Sequence, residues 1–412
     1  MPKVINDKRL VSELLTRGVE KIYPSYQALE KKLLSGDKIR LYCGYDPSAA
    51  SLHIGNAIAL NKLAQFQALG HELIFLIGDF TGRIGDPTDK KAARQKLTSE
   101  EVLNNAKDYV KQAAAYLKFD GPNPARVEYN SKWQDKLNFS DLIELSSHFT
   151  VQQMIQRDMF QERLKDEKPI YLHEFLYPLV QAYDSVAMDV DLEVGGNDQM
   201  FNMMCGRSLL RDIKQKEKFV LTMKLLTDAE GKKMGKSEGN IVFLNESANN
   251  MYGQIMAWPD GIMLAAFELC TNIEMKEIKK MADDLKKDTV NPRDLKMRLA
   301  LEITEINHGQ AAAASARDNF ISTIQKKEVP KDMNTWRRTE EQYNIVDLLV
   351  ATKLASSKTE ARRLVEQGAV KIQTGADENA GPVVITNPKE DINVADDTIL
   401  QRGKLQFVKI IK

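Results

Sequence analysis

Residues 39–79 impose the strongest constraint on how this chain can fold. Ile39–Cys43 has the composition of a strand, a glycine and a proline interrupt it, and an apolar-periodic segment begins near Leu52. Gly70 closes that helical segment, and His71–Asp79 has the composition of a buried parallel strand. A strand, a helix and a second strand in this order predict a βαβ unit. They therefore predict a doubly wound α/β sheet, which binds ligands at the carboxyl ends of its strands.

The helix that follows the first strand is suited to binding an anion at its start. The first amides of a helix are unpaired and its dipole favours negative charge there, so a phosphate-bearing ligand is the usual reason for such a junction. His53 and Asn56 lie three residues apart on one helical face, and Gly55 lets a flat ligand approach the backbone. On this tetrapeptide alone, a capped surface helix with an exposed histidine is an equally good explanation.

Composition limits the number of domains and the kinds of partner. A chain of 412 residues is too long for one ordinary core, so two or three domains are expected. Lysine plus arginine and aspartate plus glutamate both total 58, so any nucleic-acid surface must be a local patch. Three widely separated cysteines argue against a disulfide framework. The sequence shows neither a signal-peptide core nor an apolar run approaching the ~20 residues of a membrane helix, so we expect a cytoplasmic protein without a membrane span.

A later helical segment places three polar side chains on one face. Tyr177, Gln181 and Asp184 fall at positions i, i+4 and i+7, on a stripe otherwise suited to burial. Burying these groups is costly unless they bond one another or a ligand. The pattern therefore indicates either a ligand site or a core helix with an internally satisfied network.

Five motifs, in order along the chain, resemble those of the tyrosyl-tRNA synthetases, which are class I aminoacyl-tRNA synthetases. His53–Asn56 is similar to the HIGH element with asparagine in the last position, and Gly82–Pro87 is similar to the GxIGDP loop. Tyr177–Asp184 matches the YxxxQAxD helix, and Gly195–Gln199 is similar to the GGxDQ loop. Lys233–Ser237 looks like the KMSKS loop with glycine in place of the middle serine. The resemblance covers nearly the whole chain and implies a bacterial-type enzyme that activates L-tyrosine with ATP and transfers it to tRNA(Tyr).

The resemblance implies a tyrosine site with a phenol end and an amino end. Tyr42 and Asp184 contact the phenolic hydroxyl, and both are left unpaired when phenylalanine enters. This class of enzyme is itself the standard example of that penalty, so no editing domain is needed. At the other end, Asp86, Tyr177 and Gln181 bind the amino group.

The resemblance also implies a nucleotide site beside the tyrosine. Asp198 binds the ribose hydroxyls, and Gln199 orients the tyrosine carboxyl group. Placement of the substrates and stabilisation of the developing phosphate charge suffice for catalysis, and the residues assigned to this role are His53, Asn56, Lys233 and Lys236. The full set of implied ATP-binding residues is Cys43, Gly44, Asp46, Ser48, His53, Asn56, Gly196, Asp198, Lys233, Lys236 and Ser237. For Cys43 an inert buried thiol is the commoner alternative. Mg²⁺ is expected to arrive with ATP, because no group of histidines and cysteines has metal-ligand spacing.

Residues beyond the fifth motif predict further domains. Residues 245–325 have almost only helical pattern and resemble the helical domain that approaches the anticodon in bacterial members of the family. Ser357–Ile372 resembles the S4 RNA-binding module, and its helix places Lys358, Arg362 and Arg363 near one face. Basic residues on a helix are most often only solvated, but here they supply the local patch for RNA. The implied division is a Rossmann-like catalytic domain at residues 1–240 with a helical insertion at about 120–175, an all-helical domain at 241–328, a linker at 329–343 and a small α+β S4-like domain at 344–412.

Two other functions are open at this point. A tryptophanyl-tRNA synthetase shares the fold and the HIGH element, but Tyr42 with Asp184 and the S4-like tail argue against it. An RNA-binding paralogue without catalysis is the alternative from another class, and the intact Lys233, Lys236 and Asp198 argue against that. The helical insertion corresponds to a dimer interface in this family, so a homodimer is expected.

Overall fold

The computed structural model describes residues 3–88, 97–227, 241–322, 333–373, 382–403 and 406–412. The chain forms two compact units, one made of residues 1–247 with 254–310 and the other of residues 248–253 with 311–412. No described helix is long and apolar enough to cross a membrane.

Strands and helices alternate through the first unit, and a second group of strands follows near the carboxyl terminus. The strands are β1 (Val19–Tyr23), β2 (Arg40–Tyr45), β3 (Glu72–Ile77), β4 (Arg126–Tyr129), β5 (Leu192–Gly196), β6 (Phe219–Met223), β7 (Asn334–Arg337), β8 (Gln342–Asn344), β9 (Val370–Gln373), β10 (Val383–Ile385), β11 (Asp391–Asn393), β12 (Thr398–Arg402) and β13 (Gln406–Ile411). The helices are α1 (Lys8–Thr16), α2 (Tyr26–Leu34), α3 (Ile54–Ala68), α4 (Thr81–Ile84), α5 (Ser99–Ala106), α6 (Tyr109–Ala113), α7 (Ser131–Gln134), α8 (Phe139–Ser147), α9 (Val151–Ile155), α10 (Asp158–Lys165), α11 (Leu172–Met188), α12 (Met200–Lys214), α13 (Ala248–Met256), α14 (Met263–Cys270), α15 (Met275–Lys286), α16 (Pro292–His308), α17 (Gln310–Phe320), α18 (Ile345–Ala351) and α19 (Lys358–Glu366). Short 3₁₀ helices occupy Asn197–Gln199 and Asp260–Ile262.

The first unit is built on a six-stranded sheet with the order β1-β6-β5-β2-β3-β4. The strands from β6 to β4 are parallel, whereas β1 pairs antiparallel with β6 at one edge. Strands β2, β3 and β5 are buried at nearly every position, which is the pattern of strands inside a parallel sheet. The doubly wound α/β sheet that the sequence predicts is therefore confirmed. The chain continues from β2 to β3 on one side and later returns to β5 on the other, so the switch point lies between β2 and β5.

Two strands occupy segments whose sequence carries no strand pattern. β1 lies within the first 37 residues, and β4 lies within the helical insertion at about 120–175. Both are edge strands with a neighbour on one side only. An edge strand keeps polar side chains such as Glu20, Lys21 and Glu128, so it lacks the apolar run that identified the central strands.

The second unit contains a small α+β domain, as the sequence predicts. Its five-stranded sheet has the order β10-β9-β12-β13-β7, and β8 pairs separately with β11. Helices α18 and α19 contribute Leu348, Leu349 and Val365 to one apolar core with the strands. The sequence places residues 329–343 in a linker, whereas β7 within that range pairs in parallel with β13 and its Trp336 packs against the core. A four-residue strand surrounded by charged residues has too little periodicity to be told from a linker.

Candidate active site

A cavity of about 450 Å³ opens at the carboxyl ends of β2, β3 and β5. The sequence from Tyr42 to Asp46 lines one side, Gly78 follows β3, and Gly195 and Gly196 end β5. The start of α3 and one face of α11 complete the wall. The cavity is therefore beside the switch point of the sheet, where α/β proteins of this type bind their ligands.

Every described residue that the sequence assigns to tyrosine or ATP lines this cavity. The tyrosine set is Tyr42, Asp86, Tyr177, Gln181, Asp184 and Gln199. The described part of the ATP set is Cys43, Gly44, Asp46, Ser48, His53, Asn56, Gly196 and Asp198. Residues as distant in the chain as Tyr42 and Gln199 are thus brought together at one place.

Asp46 is held by two hydroxyl groups at the end of β2. Its Oδ1 accepts a hydrogen bond from Thr81 Oγ1 at 2.6 Å, and its Oδ2 accepts one from Tyr177 Oη at 2.8 Å. Burial raises the pKa of Asp46 to about 7, although both hydrogen bonds act in the opposite direction. Gly78 is needed for this arrangement, because a Cβ atom at that position would lie 2.0 Å from Asp46 Oδ1.

Asp184 is the acceptor for three N–H donors on one segment. Trp133 Nε1 donates at 2.7 Å and Gln134 Nε2 at 2.8 Å to Oδ1, and Asn130 Nδ2 donates at 3.2 Å to Oδ2. Burial raises the pKa of this carboxyl to about 7, while the three donors lower it. The resemblance implies that Asp184 is left unpaired when phenylalanine enters, but the structure gives it three donors within the protein. Their signal in the sequence is weak, because they lie in a short helix and the turn before it.

Tyr42 also has a protein partner. Its hydroxyl lies 3.0 Å from Ser185 Oγ, and Ser185 in turn accepts a hydrogen bond from Lys218 Nζ at 2.8 Å. Lys218 is completely buried and forms an ion pair with Glu193. Burial lowers the pKa of Lys218, and the Glu193 carboxylate opposes that shift. Burial raises the pKa of Tyr42 well above its ordinary value, and the Glu193 charge raises it further.

The amide of Gln181 is only half satisfied. Its Nε2 donates to Glu193 Oε1 at 3.1 Å, but its Oε1 is buried without a hydrogen-bond partner among the described residues. A buried acceptor without a donor is unfavourable unless a ligand satisfies it. Of the other two groups on this face, Tyr177 donates to Asp46 and Asp184 accepts from three donors. The polar stripe of α11 is therefore largely satisfied within the protein, with one open acceptor.

Asp86 and Gln199 bond each other across the cavity. Gln199 Nε2 donates to Asp86 Oδ2 at 2.7 Å, and the Thr88 amide donates to Asp86 Oδ1 at 2.8 Å. Asn202 Nδ2 donates to Gln199 Oε1 at 3.0 Å and so fixes which way the Gln199 amide faces. The loop after β3 and the loop after β5 are thereby joined through side chains.

The start of α3 is closed by its own third residue. His53 is the N-cap, and Asn56 Oδ1 accepts a hydrogen bond from the His53 amide at 3.0 Å. This bond leaves the Asn56 NH₂ group as the part of the side chain that can donate to a ligand. A Cβ atom at Gly55 would lie 2.9 Å from the His53 ring, so glycine leaves the imidazole in place. The chain from Val242 to Leu244 bonds the Leu52–Ile54 backbone beside this helix start.

Several residues singled out by sequence do not belong to the described cavity. Lys233, Lys236 and Ser237 lie outside the described residues, so their assignment stays a prediction. Lys358, Arg362 and Arg363 are exposed on α19 in the second unit, and Lys358 Nζ is 2.6 Å from Asp347 Oδ1.

Cys43 fits the inert alternative as a thiol, although it lines the cavity. Burial raises the pKa of its thiol to about 12, so it is uncharged near neutral pH. Among the described residues, no group of three histidine, cysteine, aspartate or glutamate side chains is arranged to hold a metal ion.

The sequence alone does not reveal the hydrogen-bonded network of Ser185, Glu193 and Lys218. Glu193 carries the only visible signal, an acidic residue inside the apolar strand segment Val190–Val194. Ser185 follows a motif residue without belonging to the motif, and Lys218 stands in a charged run that looks solvated.

Comparison with known protein families gives two matches that together span most of the chain. Residues 34–325 match the family described as tRNA synthetases class I (W and Y). Residues 325–410 match the Tyrosine-tRNA ligase SYY-like C-terminal domain.

Curated relatives and solved structures agree with these matches. The chain is 41% identical over 401 residues to the tyrosine-tRNA ligase of Moorella thermoacetica, covering 96% of this chain and 94% of the relative. It is also 41% identical over 399 residues to that of Thermotoga maritima, covering 97% and 96%. Among solved structures, the tyrosyl-tRNA synthetase of Archaeoglobus fulgidus complexed with L-tyrosine is similar in fold, with a TM-score of 0.59, 22% identity and coverage of 76% of this chain and 100% of that one. A C-terminally truncated mitochondrial tyrosyl-tRNA synthetase of Coccidioides posadasii gives a TM-score of 0.61 at 24% identity, covering 75% and 91%.

Proposed function

Because the chain belongs to the tyrosine-tRNA ligases within the class I tRNA synthetases, we propose that the cavity beside β2 is where it activates L-tyrosine. In the first step a carboxylate oxygen of tyrosine attacks the α-phosphorus of ATP, and the bond from that phosphorus to pyrophosphate breaks. In the second step a 3′-terminal ribose hydroxyl of tRNA(Tyr) attacks the carbonyl carbon, and AMP leaves. Neither step needs a protein nucleophile, so the protein contributes placement and charge stabilisation.

The phenol end of tyrosine is proposed to meet Tyr42 and Asp184. Both line the cavity, and both are almost fully buried. An ionised carboxylate has about four lone-pair sites, and three N–H donors occupy Asp184, so one site is left for a phenolic O–H. The three donors also fix the carboxylate in position before the substrate arrives.

The amino end is proposed to meet Gln181, Tyr177 and Asp86. The open Oε1 of Gln181 is the strongest support, because an ammonium group is a donor only and would satisfy it. Asp86 adds negative charge, and Gln199, which is bonded to it, is assigned to the substrate carboxyl group.

The nucleotide is proposed to lie along the start of α3, with its phosphates near His53 and Asn56 and its ribose near Asp198. The Asn56 NH₂ group is a donor suited to phosphate oxygens, whereas the Ile54 amide at the start of the helix already donates to the Val242 carbonyl. Lys233 and Lys236 remain assigned to the departing pyrophosphate on motif resemblance alone. Mg²⁺ belongs to this proposal as part of the ATP substrate, because Mg²⁺ usually binds through phosphates and water.

We assign tRNA binding partly to the second unit and dimer formation to the helical insertion. Arg362 and Arg363 are exposed on α19, within the segment that matches the ligase C-terminal domain. Half of the exposed large apolar side chains that the structure describes lie between residues 139 and 172, and the most exposed of them are Phe139, Val151 and Leu172. We place the enzyme in the cytoplasm, which is supported by its three cysteines being free thiols.

Asp184 gives this proposal its main support, because it is a buried carboxylate held by three donors in the same cavity as Tyr42. The test is ATP–pyrophosphate exchange with tyrosine, phenylalanine and tryptophan, for the wild type and Asp184→Asn. We expect exchange with tyrosine in the wild type, and a much smaller preference for tyrosine over phenylalanine in the variant. An unchanged preference in Asp184→Asn would show that the phenol is recognised elsewhere.

A further inference from the structure

Lys218 is a buried cation that no motif of the family resemblance includes. It directly precedes β6, its side chain is fully inaccessible, and its ammonium lies behind the wall of the cavity. Two groups bind it, the Glu193 carboxylate and the Ser185 hydroxyl. Each of these groups contacts a different residue of the proposed tyrosine site.

The first branch runs through Ser185 to Tyr42. An ammonium group can only donate, so Ser185 Oγ accepts from Lys218 at 2.8 Å. The Ser185 hydrogen is then available for Tyr42 Oη at 3.0 Å. With its oxygen accepting from Ser185, Tyr42 directs its own hydrogen away from Ser185. Tyr42 therefore faces the cavity side as a donor.

The second branch runs through Glu193 to Gln181. A carboxylate paired with Lys218 can only accept, so Gln181 must turn its NH₂ group toward Glu193 Oε1, at 3.1 Å. The Gln181 carbonyl oxygen then faces away from Glu193, and it is the buried atom without a partner among the described residues. Gln181 therefore presents an acceptor.

A close helix contact keeps Lys218 in this position. At Gly206 of α12, a Cβ atom would lie 2.6 Å from Lys218 Nζ and 2.8 Å from Ser185 Oγ. Only a glycine at this point of the helix leaves room for the Lys218–Ser185 hydrogen bond.

We propose that Lys218 is a positioning residue that sets the hydrogen-bond direction at both ends of the tyrosine site, making Tyr42 a donor through Ser185 and Gln181 an acceptor through Glu193. The phenol of tyrosine donates to Asp184, and its oxygen can accept from Tyr42 as a donor. The ammonium of tyrosine only donates, and Gln181 offers it an acceptor. The orientations of Tyr42 and Gln181 therefore match the two ends of tyrosine. This inference rests on the proposed function, because it assumes that Tyr42 and Gln181 contact the substrate.

The phenol branch is tested by Ser185→Ala, which removes one buried hydroxyl and retains a good helix former. In pyrophosphate exchange we expect kcat/KM for tyrosine to fall about twofold to tenfold through KM, the equivalent of one neutral hydrogen bond, while kcat/KM for phenylalanine stays unchanged. Thr304→Val is the matched control, because the Thr304 hydroxyl is also buried and has no partner among the described residues. The control is expected to leave both values unchanged.

Tyr42→Phe separates the two ways in which this test can fail. If Tyr42→Phe lowers the preference for tyrosine and Ser185→Ala does not, the relay through Ser185 is wrong while the phenol site stands. If neither variant changes the preference, Tyr42 does not contact the phenol and the proposed site is itself wrong.

The amino branch is tested with Lys218→Met combined with Glu193→Gln, since replacing both members of a buried ion pair avoids an unpaired charge. The readout is the binding of tyrosine and of 3-(4-hydroxyphenyl)propanoate, which lacks the amino group. Tyrosine is expected to lose at least about tenfold more affinity than the analogue, because only tyrosine has an ammonium group to meet Gln181. Equal losses for the two ligands would overturn the amino branch, and Ser185→Ala, which is expected to weaken both ligands equally, provides the comparison.

Discussion

At the scale of single residues, two buried carboxyls give the cavity its sensitivity to pH. Burial raises the pKa of both Asp46 and Asp184 to about 7, despite the hydrogen bonds that each accepts. A raised pKa means that the folded protein holds these protons more tightly than the unfolded chain does. Their effect on stability is therefore most favourable below about pH 4 and is lost as pH rises toward 7. Both groups are therefore partly ionised near pH 7.

We predict that tyrosine binds more weakly as the pH falls through the pKa of Asp184, which is about 7. With three N–H donors in place, a proton on Asp184 would take the one acceptor site left for the phenol, so KM for tyrosine is expected to rise about tenfold between pH 8 and pH 6. Phenylalanine provides the control, because its amino group meets the same Tyr177 that donates to Asp46, but it lacks the hydroxyl. Parallel pH profiles for the two substrates in pyrophosphate exchange would contradict the role of Asp184.

Gly78→Ala is predicted to damage the cavity wall. The new methyl group would lie 2.0 Å from Asp46 Oδ1 and 2.4 Å from Thr81 Oγ1, so the hydrogen bond between them must break or the backbone must shift. We expect the free energy of unfolding to fall by about 1–3 kcal/mol, as in other overpacked sites, with a higher KM for tyrosine. Gly44→Ala is the stability control, since its nearest contact would be an ordinary 3.7 Å. Equal denaturant midpoints for the two variants would show that the wall tolerates the methyl group.

Whether a site residue could be predicted from sequence depends on what its side chain contacts. Residues that face the ligand, such as Tyr42, Gln181 and Asp184, stand in motifs whose order can be read directly. Lys218 and Ser185 act on other side chains instead, and their partners are distant in sequence, so no local pattern marks them. The internal partners of Asp184 were missed for the same reason, because about fifty residues separate it from Trp133 and Gln134.

At the scale of elements, the start of α3 combines a structural and a functional task in one side chain. Asn56 Oδ1 caps the His53 amide, while its NH₂ group is free to donate to a phosphate. Asn56→Asp keeps the acceptor and removes the donor, whereas Asn56→Ala removes both. The two variants therefore separate the cap from the chemistry.

We predict that Asn56→Ala costs about 1 kcal/mol of stability, the usual value of a cap, and that Asn56→Asp costs less. Both variants should slow adenylate formation, and Asn56→Asp should slow it more, because a carboxylate repels the ATP phosphates. The measurements are denaturant unfolding and single-turnover adenylate formation. Full activity in Asn56→Asp would remove this side chain from phosphate binding.

Helices and strands were predicted well where burial gives the sequence a regular spacing of apolar residues, and poorly where it does not. The parallel strands β2 and β3 and the helices α3 and α11 all follow their patterns. The edge strands β1, β4 and β7 have one exposed side and few residues, so their identity depends on the neighbouring strand and not on their own sequence.

For the whole molecule, the exposed apolar side chains of the insertion predict where two copies of the chain would associate. Phe139 and Ile143 lie on one face of α8 and are 78% and 58% exposed. If this face forms the proposed homodimer, Phe139→Glu with Ile143→Glu should give a monomer in light scattering after size exclusion, with the fold retained. Leu103→Glu is the control, an exposed leucine on α5 outside the insertion. A dimer that survives the double variant would place the interface elsewhere.

We expect the two ends of the chain to carry out different parts of the reaction. The cavity is built within residues 42–226, whereas the basic residues of α19 belong to the segment that matches the ligase C-terminal domain. A chain that ends at Ser322 should therefore keep pyrophosphate exchange and lose the charging of tRNA(Tyr). In the full chain, Arg362→Ala with Arg363→Ala should raise KM for tRNA. It should also reduce the slope of log affinity against log salt by about 1 to 2, since each phosphate contact releases counterions. Lys8→Ala with Arg9→Ala removes two exposed charges from the start of α1 and should change neither quantity. If the α19 variant charges tRNA with an unchanged KM and salt slope, this helix does not contact the RNA backbone.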